Sequence, residues 1–173
     1  VCTTEFIALS RMNETFESLN TKLIGLSIDS LHSHLGWIKS IEALNFNNEG
    51  KVKIPFPIIA DISMNVAKKY GMLQTVANTQ TVRAVFIIDP EGIIRTILYY
   101  PMSTGRNIPE IIRILQSLQL NDKTHYSTPA NWQPGDDVVM GAPLTIEEAQ
   151  ERLESSDNTI KPLDWYLTMK KMK

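Results

Sequence analysis

The stretch that decides the fold runs Val82-Arg83-Ala84-Val85-Phe86-Ile87-Ile88-Asp89-Pro90-Glu91-Gly92 and continues through Ile93 to Tyr100. Its first half is β-branched and aromatic around a single arginine, and Asp89-Pro90-Glu91-Gly92 carries the residues of a tight turn. Two strands joined by that turn make a hairpin, with one strand strongly buried. Upstream, Lys22-Leu23-Ile24-Gly25-Leu26-Ser27-Ile28-Asp29 reads as another buried strand, and it runs into a helix-starting Asp29-Ser30. Leu31, Leu35, Ile38, Ile41 and Leu44 then mark the apolar face of a helix. The polar stretch Asn45 to Lys53 is a surface loop. Phe56 to Ala60 is a short strand, and its flanking prolines suggest an edge position. Asp61-Ile62-Ser63 caps a helix through Tyr70 that Gly71 stops, and a loop leads to Thr81.

At the front, Phe6, Leu9, Met12, Phe16 and Leu19 predict one helix from about Thr3 to Leu19, capped by Thr3 or Thr4 and with Glu5 in its first turn. Beyond the hairpin, Pro109 sits near the start of a helix with Ile111, Ile112, Leu115 and Leu118 inward. The order α-β-α-β-α-β-β-α, with parallel-type crossovers and then a hairpin, fits a thioredoxin-like layered α/β domain over residues 1–120. Residues 121–173 have a different texture: prolines at 129, 134, 143 and 162, one short helix at Thr145 to Leu153, and scattered Trp132, Trp165 and Tyr166. Too few periodic apolar positions occur there for a separate core, so this stretch reads as an arm wrapped over its own domain or a second subunit. The chain opens Val1-Cys2 without an initiator Met. It reads as a sequence entered partway, with the central strand of such a domain expected upstream of Val1.

Composition narrows the function classes. The chain has 173 residues, 43% hydrophobic and 21% charged, enough apolar material for one core. Seventeen Lys+Arg against 19 Asp+Glu give a net charge of −2, with no broad basic field for nucleic acid. Apolar runs fall short of a membrane span and no signal peptide opens the chain, so a cytoplasmic protein is expected. The single cysteine, Cys2, excludes an internal disulfide framework and a thiolate zinc cluster.

A lone cysteine is most often a small buried hydrophobe. Cys2, however, lies at the start of a helix, where unpaired backbone N–H groups and the dipole favour a thiolate, which is both nucleophile and oxidisable group. The residues around it resemble a known family. Val1-Cys2-Thr3-Thr4-Glu5 is similar to the second half of the peroxiredoxin active-site motif. The resemblance continues through Leu26-Ser27-Ile28-Asp29-Ser30, Ser33-His34-Leu35-Gly36-Trp37, Phe56 to Asp61, Val82 to Pro90, and Tyr99-Tyr100-Pro101 with Thr104-Gly105-Arg106-Asn107. Ser127 to Trp132 with Gly135-Asp136 resembles the extended C-terminus of the one-cysteine, class-six-like subfamily.

The resemblance implies a thiol-dependent peroxidase for hydrogen peroxide and organic hydroperoxides. Cys2 is then the peroxidatic nucleophile that becomes sulfenic acid. Arg83 binds substrate and stabilises thiolate and peroxide, Arg106 supports it, and Glu5 orients the arginines. The family's proline and threonine fall before residue 1. No cofactor or metal is implied. No second cysteine is visible, so resolution is expected from an external thiol, either a thioredoxin-like protein or a small thiol. A homodimer or ring of dimers is implied. The competing function is a peroxide sensor or holdase-type chaperone switched by oxidation of Cys2, which stops after stoichiometric oxidation instead of turning over.

Other residues read as structure. His34 in Ser33-His34-Leu35-Gly36-Trp37 is either a catalytic base or a packed helix histidine, with packing favoured. His32 and His34 do not share a helix face, which argues against a metal pair. Lys68-Lys69 reads as a solvated helix face.

Overall fold

The structure, a computed structural model, describes residues 1–73 and 81–172, so the loop expected to lead to Thr81 lies mainly outside the described residues. The chain forms two compact units, Val1–Ile108 and Pro109–Lys173.

In the first unit the expected single front helix is two: α1 (Cys2–Arg11) and α2 (Asn13–Ser18). The break is at Met12, whose φ −95° and ψ 4° leave the helical region. Asn13 follows at once, one of the short polar residues that compete with the helical backbone. Neither Thr3 nor Thr4 caps α1. The N-cap is Val1, without a side-chain bond, and the Thr4 hydroxyl instead donates to the Val1 carbonyl at 2.7 Å.

Strand β1 (Gly25–Ser27) is shorter than predicted and pairs in parallel with β2 (Ile58–Ala60), Leu26 opposite Ile59. Between them α3 (Leu31–Ala43) starts at Ser30, whose side chain accepts from the Ser33 N–H. The face it buries is the predicted one only in part, at Ile41 and half-buried Ile38. Leu31, Leu35 and Leu44 are exposed, whereas His34 and Ile41 are buried. The helix turns its histidine inward because Ser27 at the end of β1 meets the ring: Ser27 Oγ and His34 Nε2 are 2.7 Å apart.

Buried Asp61 starts the next helix, α4 (Asn65–Lys69), by accepting from the N–H groups of Val66 at 3.1 Å and Ala67 at 2.7 Å. Gly71 then leaves the helix with φ +64°, a conformation that favours glycine. The hairpin pairs as read, β3 (Arg83–Ile88) antiparallel with β4 (Ile94–Tyr100) and Arg83 opposite Tyr100. The strongly buried strand expected is not found: in β3 only Arg83 is buried and Ile88 is exposed. Asp89 ties its turn by accepting from the N–H groups of Glu91 and Ile93.

The second unit begins in α5 (Ile108–Thr124), which buries Ile108, Ile111, Ile112 and Leu115. The expected boundary near residue 120 falls inside this helix. The following segment is more ordered than an arm without a core. It forms a three-stranded antiparallel sheet of β5 (Val138–Val139), β7 (Leu167–Lys170) and β6 (Ile160–Asp164), with β7 in the middle. Val138, Thr168 and Trp132 are buried, the last with its indole N–H donating to the Asp136 carbonyl. The strands have only two to five residues, too few to display a period of two. Thr145 caps α6 (Ile146–Leu153) by accepting from Glu148 N–H, and the Glu148 carboxylate accepts from Leu144 N–H. Trp165 and Tyr166, expected under cover of their own domain or a second subunit, are not covered within the single chain.

Candidate active site

The four residues singled out by the resemblance meet at the start of α1. Cys2 is the first residue of the helix and is exposed. Three positions on, where an α-helix returns nearly to the same face, Glu5 points its carboxylate inward. Arg83 reaches it from the first residue of β3: its Nη1 donates to Glu5 Oε2 at 2.8 Å and to Cys2 Sγ at 3.3 Å. Its Nη2 donates to the Met102 carbonyl at 3.0 Å, so both ends of the guanidinium fork are fixed. Arg106 closes the other side. Its backbone N–H and Nε donate to Glu5 Oε1 at 2.9 and 3.2 Å, and its Nη2 donates to Oε2 at 2.9 Å. Its Nη1 donates to the Ala84 carbonyl at 2.9 Å.

Glu5 is 4% exposed and Arg83 5%, and such charges are kept inside only when paired and hydrogen-bonded. Burial pushes the Glu5 carboxyl up, but the hydrogen bonds and charge of Arg106, with the charge of Arg83, hold it below the usual carboxylate value. Burial works against the charge on Arg83, while its bond to Cys2 and the charge of Glu5 push it above the usual arginine value. The result is a cation that stays charged and cannot turn away from the sulfur. A fixed cation at this distance stabilises negative charge on or beside the sulfur.

Two models of protein families match the chain: the AhpC/TSA family over residues 1–97, and the C-terminal domain of 1-Cys peroxiredoxin over residues 117–156. A peroxiredoxin of Methanosarcina mazei is 53% identical over 173 residues, covering 99% of this chain and 79% of that protein. This chain belongs to the peroxiredoxin family. Another peroxiredoxin, from Hyperthermus butylicus, is 47% identical over 170 residues, 96% of this chain and 69% of its own. Among solved structures, the yeast mitochondrial 1-Cys peroxiredoxin superposes with a TM-score of 0.83 at 36% identity, covering 99% of this chain and 80% of its own. Peroxiredoxin 6 of Arenicola marina superposes with a TM-score of 0.82 at 32% identity, with the same coverage.

The peroxiredoxin fold of this chain is therefore thioredoxin-like with a C-terminal extension, and the protein is a thiol-dependent peroxidase, an oxidoreductase. No helix among the described residues is long and apolar enough to cross a membrane. His34, weighed as a base, is buried on Ser27 and has no hydrogen bond to Cys2, Glu5, Arg83 or Arg106. Sequence reasoning missed the two carbonyl anchors, Met102 and Ala84, because any residue type supplies a carbonyl. It also missed that Thr3 accepts from the Trp37 indole N–H at 3.2 Å.

Proposed function

We propose that this peroxiredoxin reduces hydrogen peroxide and organic hydroperoxides at Cys2 and is regenerated by an external thiol. The supporting observation is the single guanidinium nitrogen of Arg83 that reaches both Cys2 Sγ and Glu5 Oε2. In this reading the Cys2 thiolate attacks one peroxide oxygen. An S–O bond forms, the O–O bond breaks, and the departing oxygen leaves as water or alcohol once it takes up a proton. Arg83 holds the peroxide and stabilises charge moving from sulfur to the leaving oxygen, since its planar fork is fixed before the reaction begins. Glu5 and Arg106 keep that fork in place. The cysteine is left as sulfenic acid.

Cys2 is the sole cysteine of the sequence and is exposed, which suits attack by a thiol from outside the chain. That thiol displaces the hydroxyl of the sulfenic acid as water and forms a mixed disulfide, and a second thiol releases Cys2. The yeast relative is described as resolved through glutathione/thioredoxin systems, and we carry the same class of reductant to this chain. The subunit is expected to work as a homodimer or ring of dimers, with residues 121–173 in the contact.

The test is peroxide consumption by wild type and Cys2→Ser under excess glutathione or thioredoxin, with intact mass after one equivalent of peroxide. Wild type should turn over and gain one oxygen when reductant is withheld, and the serine variant should do neither. Oxidation that stops after one equivalent despite both reductants would instead mark a sensor.

A further inference from the structure

We infer that Trp37, through its hydrogen bond to Thr3, is a positioning residue that sets the rotation of the first turn of α1 and so the aim of the Cys2 sulfur. The inference rests on reading Cys2 as the reacting thiol. The start of α1 is poorly held by local means. Its N-cap, Val1, has no side chain able to accept from the first turn, and helix ends without such a cap fray. Long-range tethers must do the holding, and two act on this turn.

The first tether is the Glu5 carboxylate, gripped by Arg83 at 2.8 Å and by Arg106 at 2.9 Å, on the side of the helix that Cys2 shares. One tether on one face leaves the turn free to roll about it. The second comes from another direction: Trp37 Nε1 of α3 donates to Thr3 Oγ1 at 3.2 Å. Thr3 lies roughly 100° around the axis from Cys2, so the two tethers together fix rotation as well as position. A roll of about 11° shifts an atom about 5 Å from the axis by nearly 1 Å. Misplacement on that scale is costly at a reacting centre, and here the gap to be kept is 3.3 Å between Arg83 Nη1 and Cys2 Sγ.

Trp37 is itself braced to do this. Its ring lies 4.8 Å from that of Phe6, and Phe6 lies 5.4 Å from Phe56 beside β2. The stack sets where the indole is, and the indole N–H then sets where Thr3 is. Phe in place of Trp37 would keep an apolar ring in the stack and lose only the tether, which separates the two jobs.

The experiment is single-turnover oxidation of the reduced full chain by hydrogen peroxide, read as Cys2 oxidation in quenched samples by intact mass. It uses Thr3→Val, Thr3→Ser, Trp37→Phe and the Thr3→Val/Trp37→Phe double variant, at a temperature where circular dichroism shows all folded. Thr3→Val and Trp37→Phe should each slow the reaction about three- to tenfold, the size of one neutral hydrogen bond. The double variant should be no slower than either, and Thr3→Ser, which keeps the acceptor, should restore the rate. Wild-type rates in Thr3→Val, additive losses in the double variant, or a Thr3→Ser as slow as Thr3→Val each overturn the inference. If Trp37→Phe does not fold, the Thr3 pair alone decides. Cys2→Ser is run alongside: peroxide consumption that survives it removes the functional reading itself, whereas a dead serine variant with wild-type Thr3→Val removes only this inference.

Discussion

Arg83 Nη1 stands 2.8 Å from Glu5 Oε2 while the same nitrogen stands 3.3 Å from Cys2 Sγ. One buried carboxylate thus aims the cation that faces the sulfur. The Met102 carbonyl, 3.0 Å from Nη2, prevents the guanidinium from rotating about that pair. The arrangement depends on a planar group with several donors at fixed angles.

Arg83→Lys tests that dependence. The ammonium keeps the charge but is a point donor and cannot serve Glu5, Cys2 and Met102 in the same plane. The expected loss is about 1.5–3 kcal/mol of transition-state stabilisation, about ten- to a hundredfold in the rate with peroxide. Stopped-flow rates equal to wild type would show that charge alone suffices and that the fork is structural.

The Glu5 carboxyl, held below its usual value in the folded chain, links stability to acid. Between the folded and unfolded values the unfolded chain binds more protons, so stability rises with pH there. The contribution is full above the ordinary carboxylate value of 4.5 and is lost as pH falls through the lower folded value. Glu5→Gln should flatten this part of the acid limb in denaturant titrations run from pH 6 downward. At neutral pH it should cost about 3–5 kcal/mol, because Arg83 is left buried without its counter-charge. An acid limb identical to that of wild type would place the linkage elsewhere.

Gly25 at the head of β1 is required by close approach. A Cβ there would lie 3.0 Å from Phe6 Cζ and 3.4 Å from Ile58 Cγ1. The Phe6 ring cannot retreat freely, since Trp37 and Phe56 flank it at 4.8 and 5.4 Å. Gly25→Ala should therefore overpack the site's support, costing about 1–3 kcal/mol by chemical denaturation. Because Phe6 is one turn beyond Cys2 on α1, the peroxide rate should fall as well. A variant as stable and as fast as wild type would mean that the stack gives way without consequence.

What was legible in the sequence follows from how local each signal is. Of the four residues of α5 that read as inward, Ile111, Ile112 and Leu115 are buried and Leu118 is half-buried, because a strong 3.6-residue period needs no partner. The face of α3 is only partly legible: Ile41 is buried as its period predicts, but Leu31 and Leu35 are not, for a physical reason. Leu31 and Leu35 look like core by type, yet the helix turns toward Ser27, which satisfies one ring nitrogen of the buried His34. His34 as a packed helix histidine agrees with the sequence reading, but the hydroxyl that receives it lies outside any hydrophobic count. The site is more extreme still, since its bonds join residues 78, 81 and 101 positions apart. No spacing rule reaches so far, and only the resemblance of separate motifs brought Cys2, Glu5, Arg83 and Arg106 into one list. Thr3 reads locally as a cap, while its bond runs 34 positions away to Trp37.

The last prediction concerns assembly through the second unit. Leu144 is 91% exposed and Ile146 81%, and Leu153 and Trp165 lie open beside them. These four line one groove of about 770 Å³ with Pro143, Ala149 and Gln150. Apolar side chains clustered this way on α6 and next to β6 are seldom left in water, and such a patch marks a contact surface. Each could rest singly in solvent without consequence, but together they offer an anchor cluster of the kind that carries association energy. A second copy is the expected occupant, and a two-fold contact would cover the same patch on both subunits at once. Leu144→Glu with Ile146→Glu places two carboxylates in that patch while leaving the Thr145 cap and the α6 backbone bonds intact. Light scattering at micromolar concentration should show wild type as a dimer or larger and the double variant shifted toward monomer. Single-turnover oxidation of Cys2 should be unchanged. A wild-type chain that is monomeric, or a double variant that assembles as well as wild type, would show that this groove is not the contact.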